Sequence, residues 1–299
     1  MAPRVSASPA APLAVGLVGA GPWAEKAYAP MLAEGPETRL AGVWARRPEA
    51  AAALAAQHGC DAVETFAALL ERCDAIAFSV PPQVQAELGV IAADAGKHLM
   101  LDKPLALTLE PAERLVTAID RAGVVTQLML TQRYRATTDA FVEQARGFKA
   151  FGARYAFLTG GFLSGPYATP WRIEHGALHD LGPHALDLVE AALGPIVELD
   201  ATGDPRRWIS LTCTHASGAV TEMSLSGSVP LKQTVCKLEL FGAGGVLEFD
   251  LIASSSETPW PRIRAEFVAA VRAGKSPALD AHRGLELQRL IDRAMRSIA

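Results

Sequence analysis

The chain has 299 residues, 28 of them basic and 32 acidic, for a net charge of −4. That length is more than one hydrophobic core usually fills, so two domains are expected. Half of the residues are hydrophobic, which excludes global disorder; no apolar run approaches the roughly 18 residues that span a bilayer, and no long basic block suits nucleic acid.

Residues 1–12 read as a flexible Ala/Pro/Ser-rich leader that lacks a secretion signal. Strands are expected at 14–18, 40–44, 75–80, 98–101 and 124–130, with helices at 24–34, 48–58, 66–72, 84–95 and 109–122 between them. Such alternation means βαβ units and an α/β, doubly wound parallel sheet, a Rossmann domain over 13–130. Past residue 150 strands follow at 154–158, 197–202, 209–215, 219–225, 236–241 and 246–250 with few helices between them. They predict an α+β domain over 131–280 with a largely antiparallel open sheet. One helix over 177–193 interrupts that run, and helices at 262–273 and 281–298 close the chain. The segment 281–299 is expected to pack back on the first domain. Cys60, Cys73, Cys213 and Cys236 form no Cys-x-x-Cys pair, which points to reduced thiols in a cytoplasmic protein.

Directly after the first strand comes Gly19-Ala20-Gly21-Pro22-Trp23-Ala24. The G-x-G-x-x-A spacing between a strand and a helix fits dinucleotide binding. Gly19 permits the turn, Gly21 lets the backbone approach a pyrophosphate, and Ala24 permits close helix–strand contact; the helix N-terminus then offers N–H groups to the phosphate charge. An NAD-specific site generally carries an acid at the end of the second strand. Here Trp44-Ala45 is followed by Arg46 and Arg47, which suits the 2′-phosphate of NADP, with NAD as the alternative.

Two further segments, Leu101-Asp102-Lys103-Pro104 and Asp180-Leu181-Gly182-Pro183-His184, join the glycine loop in a pattern that resembles the Gfo/Idh/MocA oxidoreductases. The resemblance runs from about residue 13 to the end and includes Asp280-Ala281-His282-Arg283 at the start of the last helix. It implies an active-site lysine at Lys103, with Asp102 in place of the family's glutamate. It also implies a substrate-binding aspartate at Asp180 and a general acid or base at His184, while Asp187 matches an acid often found three residues later. Cofactor contacts implied beyond the glycine loop fall on Arg46, Arg47, Pro81, Asp102 and Lys103, with Pro22 and Trp23 inside the loop. Trp171 and Arg172 match a pair upstream of the histidine helix that could line the substrate pocket. Arg133 is expected to be structural, and Gln85 stands where relatives often have histidine.

The residues support this chemistry on their own terms. Removing a hydride from an alcohol carbon needs a base for the hydroxyl proton, and histidine titrates near neutral pH while lysine can polarise the oxygen. Asp180, His184 and Asp187 fall at i, i+4 and i+7, one face of a continuous helix. Acid–base work explains the cluster without a metal, so no metal is expected from His175, His179 and His184. No tyrosine is followed by lysine at the spacing of a short-chain dehydrogenase, and the cysteine set of a zinc alcohol dehydrogenase is missing. The expected activity is hydride transfer between nicotinamide and a hydroxyl or carbonyl carbon of a sugar, cyclitol or related diol. Two alternatives stay open: a non-catalytic nucleotide-binding regulator on the same fold, and an NAD-assisted glycosidase. A homodimer or homotetramer through the free face of the second sheet is expected from the resemblance.

Overall fold

The computed structural model describes residues 11–254 and 257–298, so the expected leader lies, up to residue 10, outside the described residues. Strands β1 (Leu13–Val18), β2 (Thr38–Trp44), β3 (Ala75–Phe78), β4 (His98–Leu101) and β5 (Thr126–Leu128) form an all-parallel sheet in the order β2-β1-β3-β4-β5. They are nearly continuous apolar runs because helices cover both sheet faces. Leu17, Ile76 and Leu99 are fully buried. A π-helical turn (Ala24–Tyr28) leads into α1 (Ala29–Ala33), and α2 (Pro48–Gln57), α3 (Phe66–Glu71), α4 (Pro82–Asp94) and α5 (Leu109–Ala122) follow. Thr65 Oγ1 caps α3 by accepting from the Ala68 amide, and Gly123 ends α5 in the left-handed region.

A helix not anticipated from the sequence, α6 (Ala136–Phe148), precedes the second sheet. Its first turn, Ala136-Thr137-Thr138-Asp139, has no apolar period; the helix is held by burial of Phe141, Val142 and Ala145, with Phe141 stacked on Phe249 at 4.6 Å between ring centroids. The second sheet contains β6 (Ala150–Leu158), β7 (Ile196–Asp204), β8 (Trp208–His215), β9 (Val220–Ser226), β10 (Val235–Gly242) and β11 (Gly245–Asp250). Its order is β11-β10-β6-β9-β8-β7, antiparallel throughout except for the parallel β6–β9 pair. Burial alternates along the strands, with Ile209, Leu211 and Cys213 inside and Trp208 and Thr212 outside on β8, as a one-sided sheet requires.

The single helix expected over 177–193 is instead two, α7 (Pro170–Asp180) and α8 (Gly182–Leu193). Pro183 has no amide proton to continue the ladder, so one bond is missing where the two helices meet; Leu181 between them keeps right-handed helical dihedrals, φ −94° and ψ −31°, and its amide still bonds the Ala177 carbonyl. Within α7 the backbone also breaks at Gly176, φ 74°, where an added Cβ would strike the Pro205 carbonyl. After β11 the chain returns to the first sheet. In α9 (Trp260–Ala273), Ile263 and Phe267 are buried beside Val15, Leu17 and Met31. The last helix, α10 (Ala281–Ser297), packs on α5 and β5 and equally reaches α8 and β7. Its Gly284 lets Leu105 approach; an added Cβ would lie 2.6 Å from Leu105 Cγ.

Asp187 does not join Asp180 and His184 as the helical spacing predicts; it turns to the last helix. It is 1% exposed and is gripped by Arg133 Nη1 at 2.7 Å and by Arg283 Nε at 2.9 Å. Arg283 also binds Glu190 of α8 at 2.7 Å, so one guanidinium ties α10 to two turns of α8. Taking Asp187 away would leave Arg133 without its carboxylate, while Arg283 would keep Glu190 and Glu286; breaking such a buried network costs up to ~3–5 kcal/mol. Urea unfolding of Asp187→Ala is therefore expected to show a stability loss of that order; a midpoint equal to wild type would show that the network holds nothing together.

Candidate active site

At the end of β4 the chain turns through Asp102-Lys103-Pro104, at the carboxyl edge where parallel sheets bind their ligands. Gln85 of α4 fixes that turn. Its side-chain amide donates to the Asp102 and Leu105 carbonyls at 2.8 and 3.2 Å, and its Oε1 accepts from the Asp102 amide at 2.7 Å. Asp102 Oδ1 accepts from the Lys103 amide at 2.8 Å. Lys103 Nζ then reaches the end of α7, donating to Asp180 Oδ1 and to the Asp180 carbonyl, both at 2.7 Å. The Arg172 guanidinium lies 3.1 Å from Asp180 Oδ2, so one carboxylate sits between two cations. Lys103 and Asp180 side chains are only 12% and 11% exposed.

Burial raises the Asp180 carboxyl, but the Lys103 and Arg172 charges outweigh it and hold it down at about 2. Burial, reinforced by the Lys103 charge and only partly opposed by Asp180, pushes His184 down to about 3. Its imidazole is therefore neutral at physiological pH, and its Nδ1 is buried without a protein partner. Burial pushes the Asp102 carboxyl up against the lowering effect of Lys103.

Two cavities meet at these residues. A pocket of about 280 Å³ is lined by Lys103, Arg172, Asp180 and His184 together with Thr131, Gln132, Phe157 and Phe162. A cleft of about 400 Å³ is lined by Gly21, Pro22, Arg46, Ser79, Pro81 and Trp171. Trp23, Asp102, Lys103, Tyr167 and Arg172 belong to both. The cleft fits a dinucleotide. Gly19, at φ 116°, packs so close to the Ser79 carbonyl that no Cβ could be added, whereas a Cβ on Gly21 would meet open space, the room a pyrophosphate needs. Ala24 is fully buried under the loop.

Comparison with known proteins agrees with this geometry. Residues 13–130 match the GFO/IDH/MocA oxidoreductase family model, described as an NAD-binding Rossmann fold, and residues 151–248 match the GFO/IDH/MocA C-terminal domain. The chain belongs to the Gfo/Idh/MocA family. A dTDP-3,4-didehydro-2,6-dideoxy-alpha-D-glucose 3-reductase of Streptomyces antibioticus is 28% identical over 276 residues, covering 85% of this chain and 80% of that protein. Among solved structures, GenD2 from gentamicin A biosynthesis, in complex with NAD, superposes with a TM-score of 0.85 at 22% identity, covering 99% of this chain and 97% of that one. KijD10, a 3-ketoreductase from Actinomadura kijaniata in complex with TDP-benzene and NADP, gives 0.82 at 19% identity, covering 96% and 98%. The protein is thus a nicotinamide-dependent oxidoreductase with a Rossmann fold.

The Gfo/Idh/MocA segments singled out in the sequence converge, with four adjustments. Arg46 lines the cleft, but Arg47 does not and instead precedes the first turn of α2. Trp171 faces the cleft and not the smaller pocket, while Arg172 lines both. Asp180 and His184 meet in the pocket although they occupy two helices, and Asp187 faces away. His179 places both ring nitrogens 3.2 Å from carbonyl oxygens, of His175 and Leu107; the described residues hold no cluster of three potential metal ligands. Sequence reasoning did not anticipate the pocket walls Gln132, Phe157, Phe162 and Tyr167 as site residues. Tyr167 sits on a loop, with its ring 6.3 Å from that of Trp23. The available signals were only Gln132 just past a strand end and Tyr167 in a Gly/Pro-rich connection.

The titration shifts predict an acid sensitivity. His184 has its folded value at about 3 against 6.5, so its stabilising contribution is complete above pH 6.5 and is lost as the pH falls toward 3. That of Asp180, at about 2 against 3.8, is complete above 3.8 and is lost as the pH falls toward 2. Wild-type stability in urea is expected to fall between pH 6.5 and 4, and His184→Gln to fall less over that window. Equal slopes would contradict a buried neutral His184.

Proposed function

We propose that this enzyme is an NADP-linked dehydrogenase or reductase acting on a hydroxyl or carbonyl carbon of a sugar, cyclitol or related diol. The observation that carries the reading is the shared wall. Lys103, held by Asp180, lines at once the cleft below Gly21 and the pocket that holds His184. In this reading 13–130 form the dinucleotide-binding domain, braced by 281–299, and 131–280 form the substrate domain. Gly19, Gly21, Pro22, Trp23 and Ala24 hold the dinucleotide, with Arg46 toward the 2′-phosphate and Pro81 and Asp102 lining its path. Bound nicotinamide supplies the hydride acceptor or donor.

The remaining chemistry belongs to the chain. Lys103 donates to the substrate oxygen and stabilises negative charge as it develops there. Asp180 keeps the ammonium of Lys103 and the guanidinium of Arg172 turned into the pocket, and it orients the substrate. His184, neutral at working pH, accepts the hydroxyl proton during oxidation and returns it during reduction. Relatives named 1,5-anhydro-D-fructose reductase (Ensifer adhaerens) and levoglucosan dehydrogenase (Pseudarthrobacter phenanthrenivorans) support the sugar class. Retention of Lys103, Asp180 and His184 together favours catalysis over a regulatory role, and free exchange of NADPH would separate it from an NAD-assisted glycosidase. Self-association through the outer face of the second sheet belongs to the same reading; Trp208, Val220, Val235 and Val246 are exposed there.

Lys103→Ala and His184→Ala are each expected to cut turnover by about 10²–10⁴-fold while NADPH still binds. Arg46→Ala is expected to weaken NADPH by about tenfold, the cost of one charged contact, and NADH far less. Unchanged turnover in both active-site variants, or equal losses for the two cofactors, would contradict these assignments.

A further inference from the structure

We infer that the pocket takes an uncharged, single-ring sugar or polyol with free hydroxyls, and not a sugar carrying a phosphate or nucleoside diphosphate. The inference rests on the reading that this pocket is the substrate site. The first support is charge. The charged side chains lining the pocket are Asp102, Lys103, Arg172 and Asp180, two of each sign. Both cations already lie against the Asp180 carboxylate, at 2.7 and 3.1 Å. The two positive charges are thus balanced by two carboxylates, and the described lining carries no further cation to offset the charge of a phosphate.

The second support is size. About 280 Å³ lies just below the ~300–1,000 Å³ usual for ligand pockets. One ring fills such a space, and a diphosphate and nucleoside attached to it would have to lie outside the pocket. The pocket continues into the cofactor cleft, past Trp23 and Tyr167, so a nucleotide tail running that way would enter the dinucleotide's own space.

The third support is the pattern of unmet hydrogen bonds. The other polar groups of the lining, Thr131, Gln132, Thr159, His184 and Thr234, are uncharged at neutral pH. Gln132 Oε1, His184 Nδ1 and Arg172 Nε are buried without a hydrogen-bond partner in the protein, an acceptor, a ring nitrogen of either role and a donor. A fully ionised phosphate has acceptors only and cannot satisfy the Gln132 oxygen. A hydroxyl both donates and accepts, so it serves Gln132 Oε1 and either tautomer of His184. Aromatic side chains of Trp23, Phe157, Phe162 and Tyr167 complete the wall, giving a sugar's C–H surface an apolar face to rest on.

The test is a paired panel of free hexoses, pentoses and cyclitols against TDP-sugars, UDP-sugars and sugar phosphates. It is read by nicotinamide absorbance and, for binding, by tryptophan fluorescence of the NADP-loaded protein. The expected result is a free sugar or cyclitol whose kcat/KM exceeds that of its phosphorylated or nucleotide-linked forms by about tenfold or more. For that substrate Gln132→Leu should raise KM by about tenfold, with a smaller loss in kcat. Lys232→Ala, at an exposed position two residues before Thr234, should leave both constants within about twofold, as surface changes generally do. A nucleotide-linked substrate preferred by the same margin overturns the inference and leaves the proposed activity standing, as does competition by free TDP or UDP that Lys232→Ala weakens. If neither panel is turned over, the functional reading itself fails, and the inference with it.

Discussion

Lys103 and Asp180 stand 77 residues apart in the chain and 2.7 Å apart in space. One follows the fourth strand of the parallel sheet, and the other ends the helix that approaches it from the second half of the molecule. Neither charge is stable alone at 12% and 11% exposure. Each justifies the burial of the other, and removing one from such a pair costs ~3–5 kcal/mol. The pair fixes where the cofactor cleft and the small pocket meet. It also sets the electrostatics of the site: the same lysine that holds Asp180 ionised helps to drive His184 neutral. An ionised carboxylate, an oriented cation and an uncharged base within one pocket are the components that alcohol–carbonyl chemistry requires.

A contrast within one stretch of chain shows how partners decide roles. Asp180 and Asp187 are both buried carboxylates, each between two cations. Asp180 faces a cavity that opens toward the cofactor cleft. Asp187 faces Arg133 and Arg283, which belong to the chain's own scaffold, and joins the last helix to α8. Residue type and helical period place them on one face of an ideal helix, and the backbone stays right-handed helical through Leu181. The partners, not the period, separate their roles: two cations and a cavity for Asp180, two scaffold arginines for Asp187.

What was legible in the sequence was local. The glycine loop after β1, the alternation of the parallel sheet and the Lys103, Asp180 and His184 positions are written in short segments whose spacing carries their chemistry. The sheet order and the α6 helix are different. Helix α6 exists because Phe141 finds Phe249, more than a hundred positions away, and its first turn has no period to announce it. The pocket walls are equally non-local. Gln132 follows the first sheet, Phe157 lies on the second, and Tyr167 lies on the connection between β6 and α7; only folding brings them together. Gln85 appeared as a departure from a family histidine, yet its amide holds the backbone on which Lys103 stands. A side chain that hydrogen-bonds both ways with backbone can take over a positioning task without leaving any mark in a linear motif.

The proposed reaction passes a hydride between nicotinamide and a substrate carbon in the pocket where Lys103 and His184 meet. Deuterium tracing tests it most directly. NADPH carrying deuterium at the transferable C4 position is incubated with the enzyme and a keto-sugar substrate, and the product is examined by mass spectrometry and NMR. The expected product carries one deuterium, bonded to the carbon that carried the carbonyl. Unlabelled product, or label exchanged into water, would contradict it.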